Sequence, residues 1–172
     1  MKVFKRKARL TQIAAVFLSV LFMGGCATAI KYSYDTKTNF SEQKSYTWAL
    51  SSAQYRQDSL LEKNVQTLVD QLLAEKGFTR TSEKPDLILS MSYEFESVVY
   101  QYNYRLRMLT LNVYKNKIDM PSPSEMPMYR ESALENKDLV WRGTAVGCIC
   151  TDAASGDLKK AVQEMLLNFP PR

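Results

Sequence analysis

Two neighbouring segments with alternating side chains constrain the fold of this 172-residue chain more than any other feature. In the first, residues 87–96, the odd positions as far as Phe95 are apolar, and the even positions from Ser90 onward are serine or glutamate. A period of two is typical of a strand with one face buried and the other in water. The second segment, residues 104–117, is expected to return as its hairpin partner. The centre of the protein is therefore predicted to be an antiparallel sheet.

The second segment changes phase partway along its length. Its apolar residues from Leu109 to Val113 occupy odd positions, whereas Leu106 and Met108 occupy even positions. One extra residue within 107–109 corrects the phase, so the sequence predicts a β-bulge there. The predicted register pairs Phe95 with Leu106, Glu94 with Arg107, Met91 with Leu109 and Leu89 with Leu111.

Two segments have helical periodicity. The first, residues 60–76, carries apolar residues at three- and four-residue intervals behind a capping box formed by Ser59 and Glu62. Gly77 follows it and readily adopts the left-handed conformation that ends a helix. The second, residues 157–168, has the same spacing and is stopped by two prolines.

The order of these elements indicates the fold class. Short alternations around Tyr32 and Tyr46 predict two early strands, and residues 138–147 predict a strand after the hairpin. Strands come in runs and do not alternate strictly with helices. This order favours an α+β fold, a two-layer sandwich in which an antiparallel sheet carries two helices on one face.

The N-terminal segment has the organisation of an export signal. A basic stretch precedes the apolar residues 13–23, and Gly24, Gly25 and Cys26 follow. Eleven residues match the apolar part of a signal peptide better than a membrane span, which needs about 20. The arrangement resembles a bacterial lipoprotein signal. The alternative is an uncleaved membrane helix over residues 13–30.

The lipoprotein resemblance implies three modifications. A diacylglycerol is joined to Cys26 by a thioether, the chain is cut between Gly25 and Cys26, and the new terminus is acylated. Membrane lipid is then the partner of Cys26, and several acyl chains make a stable anchor. Ala27, a residue other than aspartate after the cysteine, resembles the signal for sorting to the outer membrane of Gram-negative bacteria.

Charge and composition exclude several functions. The net charge of +5 comes from five basic residues before residue 26, and the rest of the chain carries 18 basic and 18 acidic residues. A neutral domain gives no electrostatic footprint for nucleic acid. Histidine is absent, so a Ser–His or Cys–His nucleophile and a histidine metal site are excluded. We expect no catalytic residues, no metal site and no cofactor.

Two pairs of side chains are weighed as chemical sites. Cys148 and Cys150 form a candidate disulfide, although two cysteines one residue apart on a strand lie near the distance limit for bridging. Free thiols and a strained, redox-active bridge are the alternatives. Glu94 and Glu96 share one strand face as a candidate carboxylate pair, and nearby arginines favour a solvated ion-pair network.

Two segments are candidate binding surfaces for an envelope protein or a glycan. The hairpin tip concentrates three tyrosines, and exposed tyrosine clusters bind such partners. The proline-containing segment between the hairpin and the next strand carries adaptable methionines. The candidate contact residues are Tyr100, Tyr102, Tyr104, Met126, Met128 and Tyr129. The alternatives are a capped sheet edge for the tyrosines and a disordered loop for the methionines.

Several motifs occur in an order that resembles a known family. They are "KSYTWA", "LLAEKGF", "KPDLILS", "LTLNVY", "LVWRGTA" and the terminal "NFPPR". Together they resemble the DUF4136 family of bacterial envelope lipoproteins, although the proline- and methionine-containing insertion before "LVWRGTA" departs from its pattern. The resemblance implies a lipid-anchored two-layer domain and no known reaction. The expected division is a signal peptide over 1–25, a lipidated tether over 26–31 and one domain over 32–172.

These observations predict an outer-membrane lipoprotein that faces the periplasm and presents a small binding or structural domain. No combination of residues in the sequence indicates catalysis. The alternative function is an envelope redox protein or enzyme that uses Cys148 and Cys150 or a carboxylate site.

Overall fold

A computed structural model of the chain describes residues 28–49, 58–96, 105–117, 134, 138–152 and 155–171. Its strands and helices are β1 (Ala29–Tyr34), β2 (Ser45–Trp48), α1 (Ser59–Glu75), β3 (Thr79–Arg80), β4 (Leu87–Phe95), β5 (Arg105–Lys115), β6 (Leu139–Cys150) and α2 (Asp157–Leu166). A short 3₁₀ helix spans Phe40–Glu42. The protein therefore has the predicted α+β architecture.

The six strands form one mixed sheet in the order β1-β6-β5-β4-β2-β3. The four strands from β1 to β4 in this order are antiparallel. β2, however, runs parallel to both β4 and β3, so the prediction of a purely antiparallel sheet was wrong at this edge. The physical reason is α1, which follows β2 and returns the chain to the same end of the sheet, as a parallel connection requires.

The predicted bulge in the central hairpin is confirmed. Phe95 pairs with Leu106 and Glu94 pairs with Met108, which leaves Arg107 as the extra residue of β5. The inner register differs from the prediction, because Met91 pairs with Leu111 and not with Leu109. Because the extra residue lies in β5, each inner residue of β4 pairs two positions further along β5 than predicted. The same side chains stay on the same face of the sheet.

Both helices cover one face of the sheet and enclose the main core. α1 buries Leu61, Val65, Val69 and Leu73, and α2 buries Leu158, Ala161, Val162, Met165 and Leu166. The facing strand residues include Leu89, Leu109, Leu111, Val113, Trp141 and Ala145. The apolar faces predicted from the helix spacing and from the strand alternation thus pack together in one apolar layer.

The ends of α1 are set by local chemistry. Asp58 is the N-cap residue, and its side chain accepts hydrogen bonds from the backbone N–H groups of Leu60 and Leu61. The predicted cap at Ser59 is therefore shifted by one residue, since aspartate caps a helix as well as serine does. Gly77 has φ +85° and takes the expected left-handed conformation after the helix.

The folded domain begins earlier than its expected start at residue 32. β1 begins at Ala29, so part of the expected 26–31 tether is a strand. The reason is pairing, because Ala29, Ile30 and Lys31 lie opposite Val146, Ala145 and Thr144 of β6. Within the described ranges, neither helix is long and apolar enough to cross a membrane.

Candidate functional site

Most of the predicted site residues lie outside the described residues. These are the modification and cleavage positions Gly25 and Cys26, the tyrosines Tyr100, Tyr102 and Tyr104, and Met126, Met128 and Tyr129. Of the predicted site residues, the structure describes only Cys148 and Cys150. The lipidation and binding assignments therefore stay predictions.

Cys148 and Cys150 are not bridged to each other. Cys150 is a free, partly buried thiol. Cys148 is disulfide-bonded, and its partner lies outside the described residues. The candidate Cys148–Cys150 bridge was therefore wrong. β6 continues to Cys150, which pairs with Arg105, so the chain makes no turn that would bring the two sulfur atoms together.

The carboxylates at the end of β4 form contacts in solvent. The Oε2 atom of Glu94 lies 3.7 Å from Nε of Arg107, and both side chains are more than half exposed. The backbone N–H of Glu96 donates to the carbonyl of Arg105 at 2.8 Å. An exposed ion pair of this kind contributes about 0–1 kcal/mol and does not prepare a carboxyl group for acid catalysis.

The face of the sheet opposite the helices carries a strip of polar side chains. Its first row joins Ser90, Asn112 and Arg142 in register across β4, β5 and β6, and Nε of Arg142 donates to Oδ1 of Asn112 at 2.8 Å. Ser90 and Asn112 are buried, and the Oγ atom of Ser90 has no hydrogen-bond partner. We had expected the serine face of β4 to be in water, so the burial of Ser90 corrects that expectation.

A second polar row lies beside the first. Ser92, Thr110, Thr144 and Lys31 are paired across four strands. The hydroxyl groups of Thr110 and Thr144 lie 3.3 Å apart in a hydrogen bond. The two rows together define the polar strip, whose exposed members carry one hydroxyl and two cationic groups. In the sequence, only the alternation in β4 signalled this strip, because its members in β1 and β6 lie far from β4 along the chain.

One end of the same face is apolar instead of polar. Ala49, Ile88 and Tyr114 form a second buried cluster, against which Leu134 and Leu139 pack. Beside it, Nζ of Lys117 and Oδ1 of Asp138 form an ion pair between the ends of β5 and β6. This ion pair holds the end of β5 to the start of β6. The predicted insertion lies between these two strands in the sequence.

A carboxylate on α1 ties the helix to the parallel edge of the sheet. Oδ1 of Asp70 accepts hydrogen bonds from the Tyr46 hydroxyl at 2.8 Å and from Nε1 of Trp48 at 2.9 Å. Oδ2 accepts one from Nη1 of Arg80 at 2.8 Å. Burial raises the pKa of Tyr46, and its hydrogen bond to Asp70 raises that pKa further. The hydroxyl is therefore held protonated as a donor, a structural task.

A tyrosine holds the other end of α1. The Tyr93 hydroxyl accepts from the backbone N–H of Asp58 at 2.7 Å and lies 3.3 Å from Oε1 of Glu62 as a donor. Burial and the two nearby carboxylates raise the pKa of Tyr93, although the bond from Asp58 opposes them. Both ends of the helix are thus fixed by polar contacts to the sheet.

The residues that made the family motifs distinctive meet in the core. The ring of Trp141 contacts that of Phe169 with centroids 5.2 Å apart, and Phe169 also contacts Phe40 and Phe78. A Cβ atom at Gly143 would collide with the indole ring of Trp141. Gly143 therefore makes room for the indole. The motif residues have a packing role.

Polar groups around α1 have structural partners in the described ranges. The polar groups of α1, Asp70 and Asp58, are occupied by backbone, tyrosine, tryptophan and arginine donors. In this part of the chain no three Cys, Asp or Glu side chains are grouped so that they would hold a metal ion. Of the polar strip, Lys31, Ser92 and Arg142 are exposed, whereas Ser90, Thr110 and Asn112 are buried.

Comparison with known proteins agrees with the motif resemblance. The sequence model of "Domain of unknown function (DUF4136)" matches residues 30–171. A solved DUF4136 family protein from Bacteroides thetaiotaomicron is similar over 83% of this chain and 96% of its own, with a TM-score of 0.55 and 13% identity. Comparison with curated proteins gave no match.

A second structure shares the fold inside a longer protein. A PDZ domain protein from Parabacteroides distasonis is similar over 92% of this chain, with a TM-score of 0.53 and 14% identity. This chain spans 39% of the length of that protein. At these identities the likeness shows the fold alone, whereas the family match covers most of the sequence. This chain belongs to the DUF4136 family.

Proposed function

We propose that this protein is a lipid-anchored lipoprotein of the bacterial envelope that presents its α+β domain to the periplasm for binding or envelope assembly. The observation that carries the proposal is the Gly24-Gly25-Cys26 sequence at the end of a short apolar segment, directly ahead of a folded domain. β1 begins only three residues after Cys26. Cleavage before Cys26 would therefore leave every described strand and helix intact.

The outer membrane is the proposed location, since Ala27 stands where aspartate would favour retention in the inner membrane. The proposed role is not enzymatic. This part of the proposal is supported by the use of Asp70, Tyr46, Asp58 and Tyr93 in contacts that hold α1 to the sheet. Each of these groups already has a structural task in the described parts of the chain.

Inhibition of the lipoprotein signal peptidase tests the anchor. With globomycin, cells that express the full chain are expected to accumulate a precursor that still carries residues 1–25. The mature form is expected to carry acyl chains on its N-terminal cysteine, as measured by the intact mass. A Cys26→Ala variant should lose both the acylation and the cleavage. An unchanged mature mass in the presence of globomycin would refute the lipoprotein assignment.

The residues proposed to contact a partner need a separate test. Tyr102 and Met126 each represent one predicted surface, and a photoreactive residue at either position should crosslink an envelope protein or a glycan in cells. A photoreactive residue at the exposed Lys160 of α2 is the matched control. Equal crosslinking from Lys160 would show that the predicted surfaces have no preference for a partner.

The alternative function, redox or enzymatic chemistry, loses its main support. It was based on a bridge between Cys148 and Cys150, and Cys150 is a free thiol. Its carboxylate version was based on Glu94 and Glu96, and Glu94 lies in an exposed ion pair. Lipidation of Cys26 and the disulfide of Cys148 exclude each other within one chain, because Cys150 is free and a thioether sulfur cannot take part in a disulfide.

A further inference from the structure

Three chain segments meet at one end of the sheet. Ala29, the first residue of β1, pairs with Val146 near the end of β6. Arg105, the first residue of β5, pairs with Cys150, the last residue of β6. We call this the tether end and define it by Ala29, Arg105, Val146 and Cys150. The opposite, distal end is defined by Tyr34, Lys117 and Asp138.

The tether end is close to the proposed anchor along the chain. Three residue steps separate Cys26 from Ala29, and an extended chain covers at most about 3.6 Å per residue. The Cα atom of Ala29 therefore lies no more than about 11 Å from that of Cys26. Acyl chains buried in the hydrocarbon would hold Cys26 at the membrane surface, so a lipid anchor leaves the tether end little freedom to move away.

The distal end is well separated from the tether end. β6 contains 12 residues, and a strand rises about 3.3 Å per residue, which gives a length of about 36 Å. α2 follows β6 and runs back toward the distal end. Its direction is fixed by Phe169, whose ring contacts Trp141, the partner of Tyr34.

Exposed side chains at the tether end suit a lipid surface. Val146 is 37% exposed on the face without helices. Leu60 is 66% exposed in the first turn of α1, and this turn is placed near the end of β4 by the hydrogen bond from Asp58 to Tyr93. Arg107 is 72% exposed, and its ion pair with Glu94 is long. Aliphatic side chains partition into the headgroup boundary, and guanidinium groups bind phosphate there.

We propose that the domain rests on the lipid headgroup layer through its tether end, with Leu60, Arg107 and Val146 in contact with lipid and the distal end pointing into the periplasm. This inference rests on the proposed lipid anchor at Cys26. It adds an orientation, because a longer tether would let any face of the domain meet the membrane. The segment between β5 and β6 then leaves and rejoins the domain at the end farthest from the lipid.

Photocrosslinking to lipid tests the orientation. The photoreactive amino acid p-benzoyl-phenylalanine is placed at Val146 in one full-length variant and at Leu167 in a matched control. Both positions are exposed aliphatic residues, and Leu167 lies at the distal end of α2 with 75% of its surface exposed. After irradiation in cell membranes, intact-mass measurement is expected to find a phospholipid adduct at Val146 and none at Leu167. Leu60 serves as a second tether-end position if the Val146 variant does not accumulate.

The outcomes separate the orientation from the anchor. If the variants are acylated and membrane-bound but crosslink lipid at Leu167, or equally at both positions, the orientation is wrong and the anchor stands. The orientation is equally refuted if acylated protein yields no adduct at Val146 or Leu60. If Cys26→Ala leaves the acylation and membrane retention unchanged, the anchor itself is wrong and the orientation falls with it.

Discussion

The indole ring of Trp141 lies over Gly143, two residues along the same strand, and occupies the space that a side chain at Gly143 would need. Trp141 is fully buried and Gly143 is buried beside it. The glycine is thus required by the tryptophan. This relationship gives the tryptophan and the glycine of "VWRGTA" a shared packing role.

Replacing the glycine with alanine should destabilise the domain by overpacking. A Cβ atom at Gly143 forces the indole ring out of its position, and such changes in a close-packed core cost about 1–3 kcal/mol. We expect Gly143→Ala to lower the free energy of unfolding in urea by about that amount. Val146→Ala on the other face of the same strand is the control, with an expected loss below about 0.5 kcal/mol. An equal effect of both substitutions would contradict the steric explanation.

The C-terminal aromatic residue should be essential for stability. Phe169 is 1% exposed and contacts three aromatic rings, so Phe169→Ala leaves a large cavity between α2 and the sheet. The expected loss in the free energy of unfolding is about 3–5 kcal/mol. Leu167→Ala, two residues earlier and 75% exposed, is expected to change it by less than about 0.5 kcal/mol. Comparable losses for the two variants would show that Phe169 is not part of the core.

Acid should weaken the contact between the starts of β2 and β4. Oδ2 of Asp86 accepts hydrogen bonds from the backbone of Lys44 and from the backbone and hydroxyl of Ser45. Burial alone would raise the pKa of Asp86, but these bonds hold it below its ordinary value. Because the pKa is lower in the folded state, the carboxylate stabilises the fold above the unfolded value of about 3.9. This stabilisation is lost as the pH falls through the folded pKa.

The variant Asp86→Asn measures this contribution. At pH 7 it should be less stable than the wild type by about 1–3 kcal/mol, since hydrogen bonds to a charged group are lost. Urea unfolding at a series of pH values should show this difference shrinking below about pH 4. Glu75→Gln, at an exposed position on α1, is the control. A difference as large at pH 3 as at pH 7 would mean that the charge of Asp86 contributes nothing.

The cysteines should differ in their reaction with alkylating reagents. In unlipidated full-length chain, denatured without reductant, one cysteine is expected to be alkylated, and Cys150→Ser should abolish that adduct. With reductant, three adducts are expected. Lipidated protein should give only two after reduction, because reduction does not cleave a thioether. Mass spectrometry counts the adducts, and an adduct that survives in Cys150→Ser would show that another cysteine is free.

The long periodic elements were predictable from sequence because each carries its own signal. Helix α1 was expected over residues 60–76 and spans Ser59–Glu75. The bulge in β5 was visible as a change of phase. The inner register was not, since a shift of two residues keeps the same side chains on each face. Periodicity alone therefore fixed the faces of the hairpin but not its pairs.

The parallel edge and the polar strip could not be predicted, because both depend on distant segments. β2 has four residues and β3 has two, and neither contains information about its partner. Ser90, Asn112 and Arg142 form one row only when three strands align. The separate states of Cys148 and Cys150 depend on β6 remaining extended to its last residue.

The pairing of β1 with β6 has a consequence for the order of folding. The first strand to be synthesised finds its partner more than one hundred residues later, near the end of the chain. Closing so long a loop is entropically costly and slows folding. β1 must wait until β6 has been made, whereas the β4–β5 hairpin can form from local contacts. The sheet is thus completed only after nearly the whole of the given chain has been synthesised.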